Sequence, residues 1–198
     1  MDLSLPTGPL AEAILTIVRT SEVRAIADHS VRSFFLADLI GAREGLSYDR
    51  DLLYAATVMH DLGTGKLAQG VARFEVEGAD LAAGLLREHG VDEGATERVW
   101  EAIALHTSGG IAERRGVLAY LTRAGIAADF GADFGADEAS ELHAEYPRLG
   151  MAATLVDAIV EHAGRSAAAG AAYTLGGELL RERRVEGITR LERAAASG

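Results

Sequence analysis

Apolar residues recur at helical spacing along most of the chain, with small residues and glycines between the apolar segments. The pattern predicts helices over residues 9–19, 25–40, 51–60, 79–89, 92–105, 118–128 and 149–163, and a charged tail helix over 178–195. Gly41 is predicted to end the second helix. Alternating apolar and polar stretches of useful length do not occur, which argues against strands. The sequence therefore predicts an all-α fold, a single helical bundle of six to eight helices.

Composition and charge exclude several classes of protein. Among 198 residues, 19 Lys and Arg stand against 30 Asp and Glu, a formal net charge of −11. Nucleic-acid binding needs clustered basic residues, so we expect no nucleic-acid partner. Because Cys is absent, a metal site would have to use His and carboxylates. Neither an apolar run of about 18 residues nor a signal-peptide pattern is present, so we expect a cytoplasmic protein without membrane contact.

The pair His60-Asp61 is the first candidate for chemistry. It lies at the end of a strongly apolar predicted helix, directly before Gly63 and Gly65. Adjacent residues on a straight helix point about 100° apart, so both can meet one metal ion only near a helix end or a distortion. Imidazole nitrogen and carboxylate oxygen suit Zn(II), Fe(II) or Mn(II). Alone, the pair is more typical of a helix cap or a surface role than of a metal site.

Three further residues extend this pair into an ordered set. His29 lies within an apolar predicted helix, His106 ends another, and Asp129 follows a third. Residues 128–137 read ADFGADFGAD, a duplicated tetrapeptide that makes Asp133 an alternative to Asp129. The resulting order along the chain is H…HD…H…D.

That order resembles the HD-domain metallohydrolase superfamily, an all-helical fold with ligands in the order H…HD…D. More narrowly, the chain looks like the cyanamide-hydratase branch in the segments DHSVRSFFLAD, AATVMHDLGTGKL, RFEVEGADLAAGLLREHG, RVWEAIALHTSGGIAER and AEYPRLG. The resemblance implies four metal ligands: His29, His60, Asp61 and Asp129. Asp133 takes the place of Asp129 if the second copy of the repeat supplies the ligand. It also implies one HD domain over residues 1–198, with a motif core over 25–150 and C-terminal helices over 151–198.

The resemblance also sets the expected number of metal ions. Two-metal members of the superfamily usually carry a further His four residues before a Gly-Ala pair, and here Phe74 stands at that distance from Gly78-Ala79. Because a phenyl ring cannot ligate, we expect one divalent metal ion per chain. Cyanamide-hydratase-type proteins are mononuclear zinc enzymes, so zinc is the expected metal, with iron or manganese as alternatives.

The activity that the resemblance implies is that of a metal-dependent hydratase or hydrolase. Such a hydro-lyase adds metal-activated water to a small polar substrate and converts a nitrile to an amide or urea. Asp61, His106 and Lys66 are the candidate catalytic residues. His106 would orient the substrate or transfer a proton, since the pKa of imidazole lies near neutral pH. Lys66, the only lysine, would hold a negatively charged group, although a surface role explains it as well.

Other functions are compatible with parts of the same pattern. The main alternative is an HD-type phosphohydrolase acting on a nucleotide or phosphomonoester, which needs several cations at the metal. The available cations are Lys66, Arg32, Arg73 and Arg148. Phe74 disfavours both a two-metal phosphate site and two-iron oxidation, and a metal-containing scaffold ranks last because the ligand set is intact. The Arg/Glu-rich tail is compatible with a homodimer or with a solvated helix, and beyond residue 151 the sequence indicates no site.

Overall fold

The prediction of an all-α fold is confirmed by the computed structural model, which describes residues 3–131 and 136–196. The described residues form ten α-helices and no strand. The helices are α1 (Pro9–Ser21), α2 (Arg24–Arg43), α3 (Arg50–Val58), α4 (Phe74–Glu88), α5 (Glu93–Leu105), α6 (Val117–Asp129), α7 (Ala136–Glu145), α8 (Met151–Ala163), α9 (Leu175–Glu186) and α10 (Arg190–Ala196). Short 3₁₀ turns follow α3, at Leu62–Thr64, and α5, at Ala112–Arg114.

The number of helices exceeds the prediction for two local reasons. The predicted tail helix is interrupted at Gly187, whose φ of +74° places it in the left-handed region, so α9 and α10 are separate helices. The helix α7 has mostly polar residues, and its sequence gave no apolar periodicity to detect.

Two predicted boundaries were also wrong. Gly41 does not end α2 but lies within it, where a Cβ atom would overlap the Tyr48 ring. The helix α4 begins at Phe74, one turn earlier than predicted, and its first turn carries Glu75 and Glu77, which suit a helix N-terminus. As a result, Phe74 is a helical residue that faces the interior.

The main core is formed chiefly by the helices α1 to α6. It surrounds α2, which is buried along most of its length. A second apolar cluster joins the start of α2 and the start of α4 to α8 and α9. Its buried members are Ala25, Ile26, Phe74, Met151, Leu155, Ile159 and Leu179. The C-terminal helices therefore pack on the side of the bundle that carries His29 and Phe74.

Two glycines hold α4 directly against the turn that follows His60 and Asp61. A Cβ atom on Gly78 would lie 2.9 Å from the backbone nitrogen of Gly63, and one on Gly63 would overlap the Phe74 carbonyl. Only residues without side chains permit this approach. The contact fixes the position of the His60-Asp61 turn against α4.

Within the described ranges, no helix combines the length and the apolar character needed to span a bilayer.

Candidate metal centre

The His60-Asp61 pair lies at a helix end, as the sequence predicts for two adjacent metal ligands. The α3 helix stops at Val58, and the 3₁₀ turn begins at Leu62, so the pair occupies the irregular backbone between them. His60 donates its Nδ1–H to the Thr57 carbonyl at 2.7 Å, because a carbonyl oxygen can only accept. This leaves Nε2 of His60 facing the Asp61 carboxylate, 3.0 Å from Oδ2.

His29 reaches the same carboxylate from α2. Its Nδ1 lies 2.6 Å from Oδ2 of Asp129, and its Nε2 lies 3.9 Å from Oδ2 of Asp61. The His29 ring is fully buried, and its Nε2 has no hydrogen-bond partner. A carboxylate on Nδ1 is a common way to fix the tautomer and the ring plane of a metal-binding histidine.

Together, His29, His60 and Asp61 form a buried cluster whose ligand atoms all lie within 4.8 Å of one another. Asp61 Oδ2 is itself buried without a hydrogen-bond partner. Unprotonated imidazole nitrogens beside a buried carboxylate repel one another unless a cation lies among them. A proton on His60 can supply that cation, and so can a divalent metal ion, for which two nitrogens and one oxygen are suitable ligands.

The electrostatics of the pair reflect the same need for positive charge. Burial lowers the pKa of His60, but the Asp61 carboxylate and hydrogen bonds outweigh burial and leave this pKa raised. Burial raises the pKa of Asp61, but the positive charge of a protonated His60 outweighs burial and brings it to about 2. Asp61 is therefore ionised at neutral pH.

Asp129 contacts this cluster through the Nδ1 side of the His29 ring. Its two carboxylate oxygens accept hydrogen bonds from Nε and Nη2 of Arg32, each at 2.7 Å, and Oδ2 also meets His29. Burial raises the pKa of Asp129, but the bonds from His29 and Arg32 outweigh it and hold the pKa well below its usual range. In this arrangement Asp129 positions His29, and its predicted role as a ligand stays a prediction. Asp133 lies outside the described residues.

Arg32 is a site residue whose function the sequence did not reveal. Its guanidinium is fully buried and also donates to the carbonyls of Tyr146 and Pro147, at 3.1 and 3.2 Å. Arg148 binds the Asp129 carbonyl at 2.7 Å. These contacts connect α2 and α6 to the segment before α8. The signal available in the sequence was that Arg32 follows His29 by three residues on α2. The partners of Arg32 lie about 100 residues further along the chain and could not be deduced from this spacing.

His106 lies beside the cluster, at the end of α5. Its Nδ1–H donates to the Ile103 carbonyl at 2.7 Å, and its Nε2 lies 3.9 Å from Oδ1 of Asp61. Burial, reinforced by the charge of His60, lowers the pKa of His106 to about 4. This lies below the pKa near neutral pH that is expected for a free imidazole, so at neutral pH the ring is neutral and its Nε2 can accept a proton.

Phe74 packs edge-on against His106, with the ring centroids 5.6 Å apart. The next residue, Glu75, is buried and accepts hydrogen bonds from Arg73 at 2.8 Å and from Thr107 at 2.6 Å. At the position where two-metal members of the superfamily carry an additional histidine, this chain thus has the phenyl ring of Phe74, which makes only van der Waals contacts and cannot bind a metal ion. This observation favours a single metal ion.

Lys66 does not join this group. Its side chain is exposed, and it is not among the residues that line the cavity at the cluster. The position beside Gly65 in sequence suggested proximity to Asp61, but the turn carries Lys66 outward. Its predicted role in holding a substrate group is not supported by this position.

A cavity of about 320 Å³ opens onto the cluster. His29, His60, Asp61 and His106 line one end. The remaining lining is mainly apolar and includes Ile126, Phe130, Leu155, Ile159, Leu175 and Leu191. Four of these six residues come from α8, α9 and α10, a part of the chain in which the sequence indicated no site. Apolar spacing on a helix does not distinguish a core face from a cavity wall, which is why the sequence missed them.

The fold and the site define a class of protein: a helical bundle with a buried His-His-Asp cluster at a helix end. The sequence profile of the HD domain matches residues 26–169, and the chain therefore belongs to the HD domain family. Members of this family bind a divalent metal ion and are generally metal-dependent hydrolases, which supports an enzymatic role. The match does not separate the branches of the family. No curated protein matches the chain.

Proposed function

We propose that this HD-domain protein is a mononuclear zinc hydratase or hydrolase that adds water to an uncharged carbon–nitrogen group, such as a nitrile or an amide. The observation that carries the proposal is the distribution of polar groups in the cavity. They gather at one end, where three histidines surround one carboxylate, while Arg32, Arg73 and Arg123 are each bonded to a carboxylate.

The residues have distinct roles in this proposal. His29 Nε2, His60 Nε2 and a carboxylate oxygen of Asp61 would hold the ion. When bound, a divalent ion would lower the pKa of a water molecule toward about 7 and polarise a group beside it. His106, neutral and with a free Nε2, would accept a proton from water and return it to the substrate nitrogen. Phe74 would restrict the orientation of the His106 ring through their edge-on contact.

The alternative, a phosphohydrolase, is favoured by one observation: Arg123, whose side chain ends in a guanidinium group, lines the cavity. That group donates from Nε to Glu113 at 2.7 Å and from Nη1 to the His106 carbonyl at 2.8 Å. Arg32 and Arg73 are likewise bonded to carboxylates. Phosphate binding would require several of these pairs to break, so we rank this function second.

The first experiment is elemental analysis of the purified protein, followed by assays of water addition to small nitriles. We expect about one zinc per chain and activity that is lost with the zinc in His60→Ala. The matched control is His89→Ala, because His89 is exposed at the end of α4. Two metal ions per chain, or hydrolysis of phosphomonoesters without nitrile hydration, would contradict the proposal.

A further inference from the structure

We propose that the substrate carries an apolar body, and that α8, α9 and α10 bind this body and select the substrate. The inference deepens the proposed function and depends on it for the nature of the reacting group. It goes further because it assigns specificity to helices α9 and α10, which lie beyond residue 169, where the match to the HD domain ends.

The size of the cavity is the first argument. A volume of about 320 Å³ holds roughly ten non-hydrogen atoms at the ~30 Å³ that a water molecule occupies in the liquid. A nitrile or amide group alone fills a small part of this space. The rest of the substrate would therefore lie against the wall opposite the metal cluster.

The chemistry of that wall is the second argument. The α8 helix presents Leu155 and Ile159, one turn apart, while Leu175 and Leu191 come from the starts of α9 and α10. Among the described lining residues, the charged groups other than the histidines are Asp61 in the cluster and Arg123, which is paired with Glu113. A charged or strongly polar substrate body would lose its hydration against these aliphatic side chains without gaining a partner.

Hydrogen bonds and ion pairs among α8, α9 and α10 hold the apolar wall in place. Arg183 on α9 donates to Asp157 on α8 and to Glu192 on α10, each at 2.9 Å. Glu182 on α9 accepts from the backbone and the side chain of Arg190, at the start of α10. These contacts cross-link all three helices, so Leu175 and Leu191 are held at defined positions over the cavity.

The test measures binding and reaction separately, using acetonitrile and phenylacetonitrile as probes. Equilibrium titration of the zinc-loaded protein is expected to show at least about tenfold tighter binding of phenylacetonitrile, because its ring removes apolar surface from water. In Leu191→Asp this ratio is expected to fall to near one. The matched control is Val185→Asp, since Val185 is 72% exposed on α9 and is not a lining residue; it should keep the ratio.

A second variant distinguishes loss of the apolar wall from misfolding caused by the buried charge in Leu191→Asp. Leu175→Trp fills the cavity without adding charge, so it should exclude phenylacetonitrile while acetonitrile still binds. Equal binding of the two nitriles to the wild type, or an unchanged ratio in both Leu175→Trp and Leu191→Asp, would overturn the inference. Preferential binding of phenylacetonitrile without any hydration would support the apolar wall and contradict the proposed reaction. Hydration of both nitriles without a preference for phenylacetonitrile would support the proposed reaction and contradict the apolar wall.

Discussion

Glu22, between α1 and α2, has a buried carboxyl group whose two oxygens both lack a hydrogen-bond partner. Burial, together with the nearby charge of Asp61, raises the pKa of Glu22 well above its usual value. Folding therefore favours the neutral acid. Its contribution to stability is complete below the unfolded-state pKa of about 4.3 and is lost as the pH rises through the raised folded-state value.

Glu22→Gln should consequently stabilise the protein at high pH and have little effect at pH 4. At pH 8 we expect a gain of about 1 kcal/mol or more, which corresponds to a rise in Tm of about 2–4 °C per kcal/mol. Thermal unfolding between pH 4 and pH 8 measures this. Glu97→Gln, at an exposed site, is the control. A difference between Glu22→Gln and wild type that is independent of pH would contradict the explanation.

Asp129 and Asp133 can be compared directly, because they come from the two copies of one repeat. Asp129→Ala leaves the buried Arg32 guanidinium without its carboxylate, a loss of about 3–5 kcal/mol for a broken buried pair. We also expect zinc to be lost, whether Asp129 acts as a ligand or through His29. Asp133→Ala should keep both zinc content and Tm. Loss of zinc in Asp133→Ala alone would reassign the role to the second copy.

At the scale of the elements, the connection into α4 is held by one side chain. The Glu77 carboxylate accepts backbone N–H groups from residues 69–72, at distances of 2.5 to 3.1 Å. Burial raises the pKa of Glu77, but these four bonds outweigh it and leave the pKa lowered. The stabilisation is therefore present above the unfolded-state pKa and lost as the pH falls into the acid range.

Glu77→Ala should lower the free energy of unfolding at pH 7 by about 2–3 kcal/mol, because four donors lose a charged acceptor. The difference from wild type should shrink as the pH falls below about 4. Denaturant unfolding at pH 7 and pH 3.5 measures both effects. Glu88→Ala, at the exposed end of the same helix, should change stability by less than about 0.5 kcal/mol. Equal effects of the two substitutions would contradict the anchoring role.

The helices could be predicted where their apolar faces were regular, but their limits depended on tertiary contacts. Gly41 has the sequence character of a helix end, and only the Tyr48 ring packed on it explains a glycine within α2. The early start of α4 depends on Phe74 being buried against His106. Likewise, the position of His60 and Asp61 at a helix end was predictable, because adjacent residues within a straight helix cannot both bind one metal ion. The contact between Gly63 and Gly78 that holds their turn was not predictable.

For the whole molecule, a ligand that binds only the folded state must stabilise it. Zinc at about 100 times its dissociation constant would add about 2.7 kcal/mol, or about 5–10 °C in Tm for a chain of this length. Asp61→Ala should abolish this zinc-dependent shift, while Asp51→Ala, at an exposed position on α3, should keep it. Thermal scans with zinc and with a chelator test the prediction. A shift that survives in Asp61→Ala would place the metal elsewhere.

The sequence predicted the composition of the cluster better than its surroundings. His29, His60 and Asp61 lie together in the structure, and the resemblance to the HD-domain superfamily had implied these three residues, with Asp129, as metal ligands. The cavity could not be predicted, since its lining is contributed by six helices, the turn after α3 and the end of α5, and most of its wall residues are apolar like those of the core. For Lys66 the sequence left both a substrate-binding and a surface role open, because closeness to Asp61 in sequence does not give the direction of a turn.

The bonds of Arg32 also bear on synthesis of the chain. Its carbonyl partners at Tyr146 and Pro147 lie 114 and 115 residues further along, and Asp129, which orients His29, lies 100 residues beyond that histidine. A ribosome therefore delivers the His-His-Asp cluster well before the groups that hold it in shape. We expect capture of a divalent metal ion by the nascent polypeptide to wait until the segment before α8 has emerged, so that translation of the last third of the protein would set the moment of metal loading.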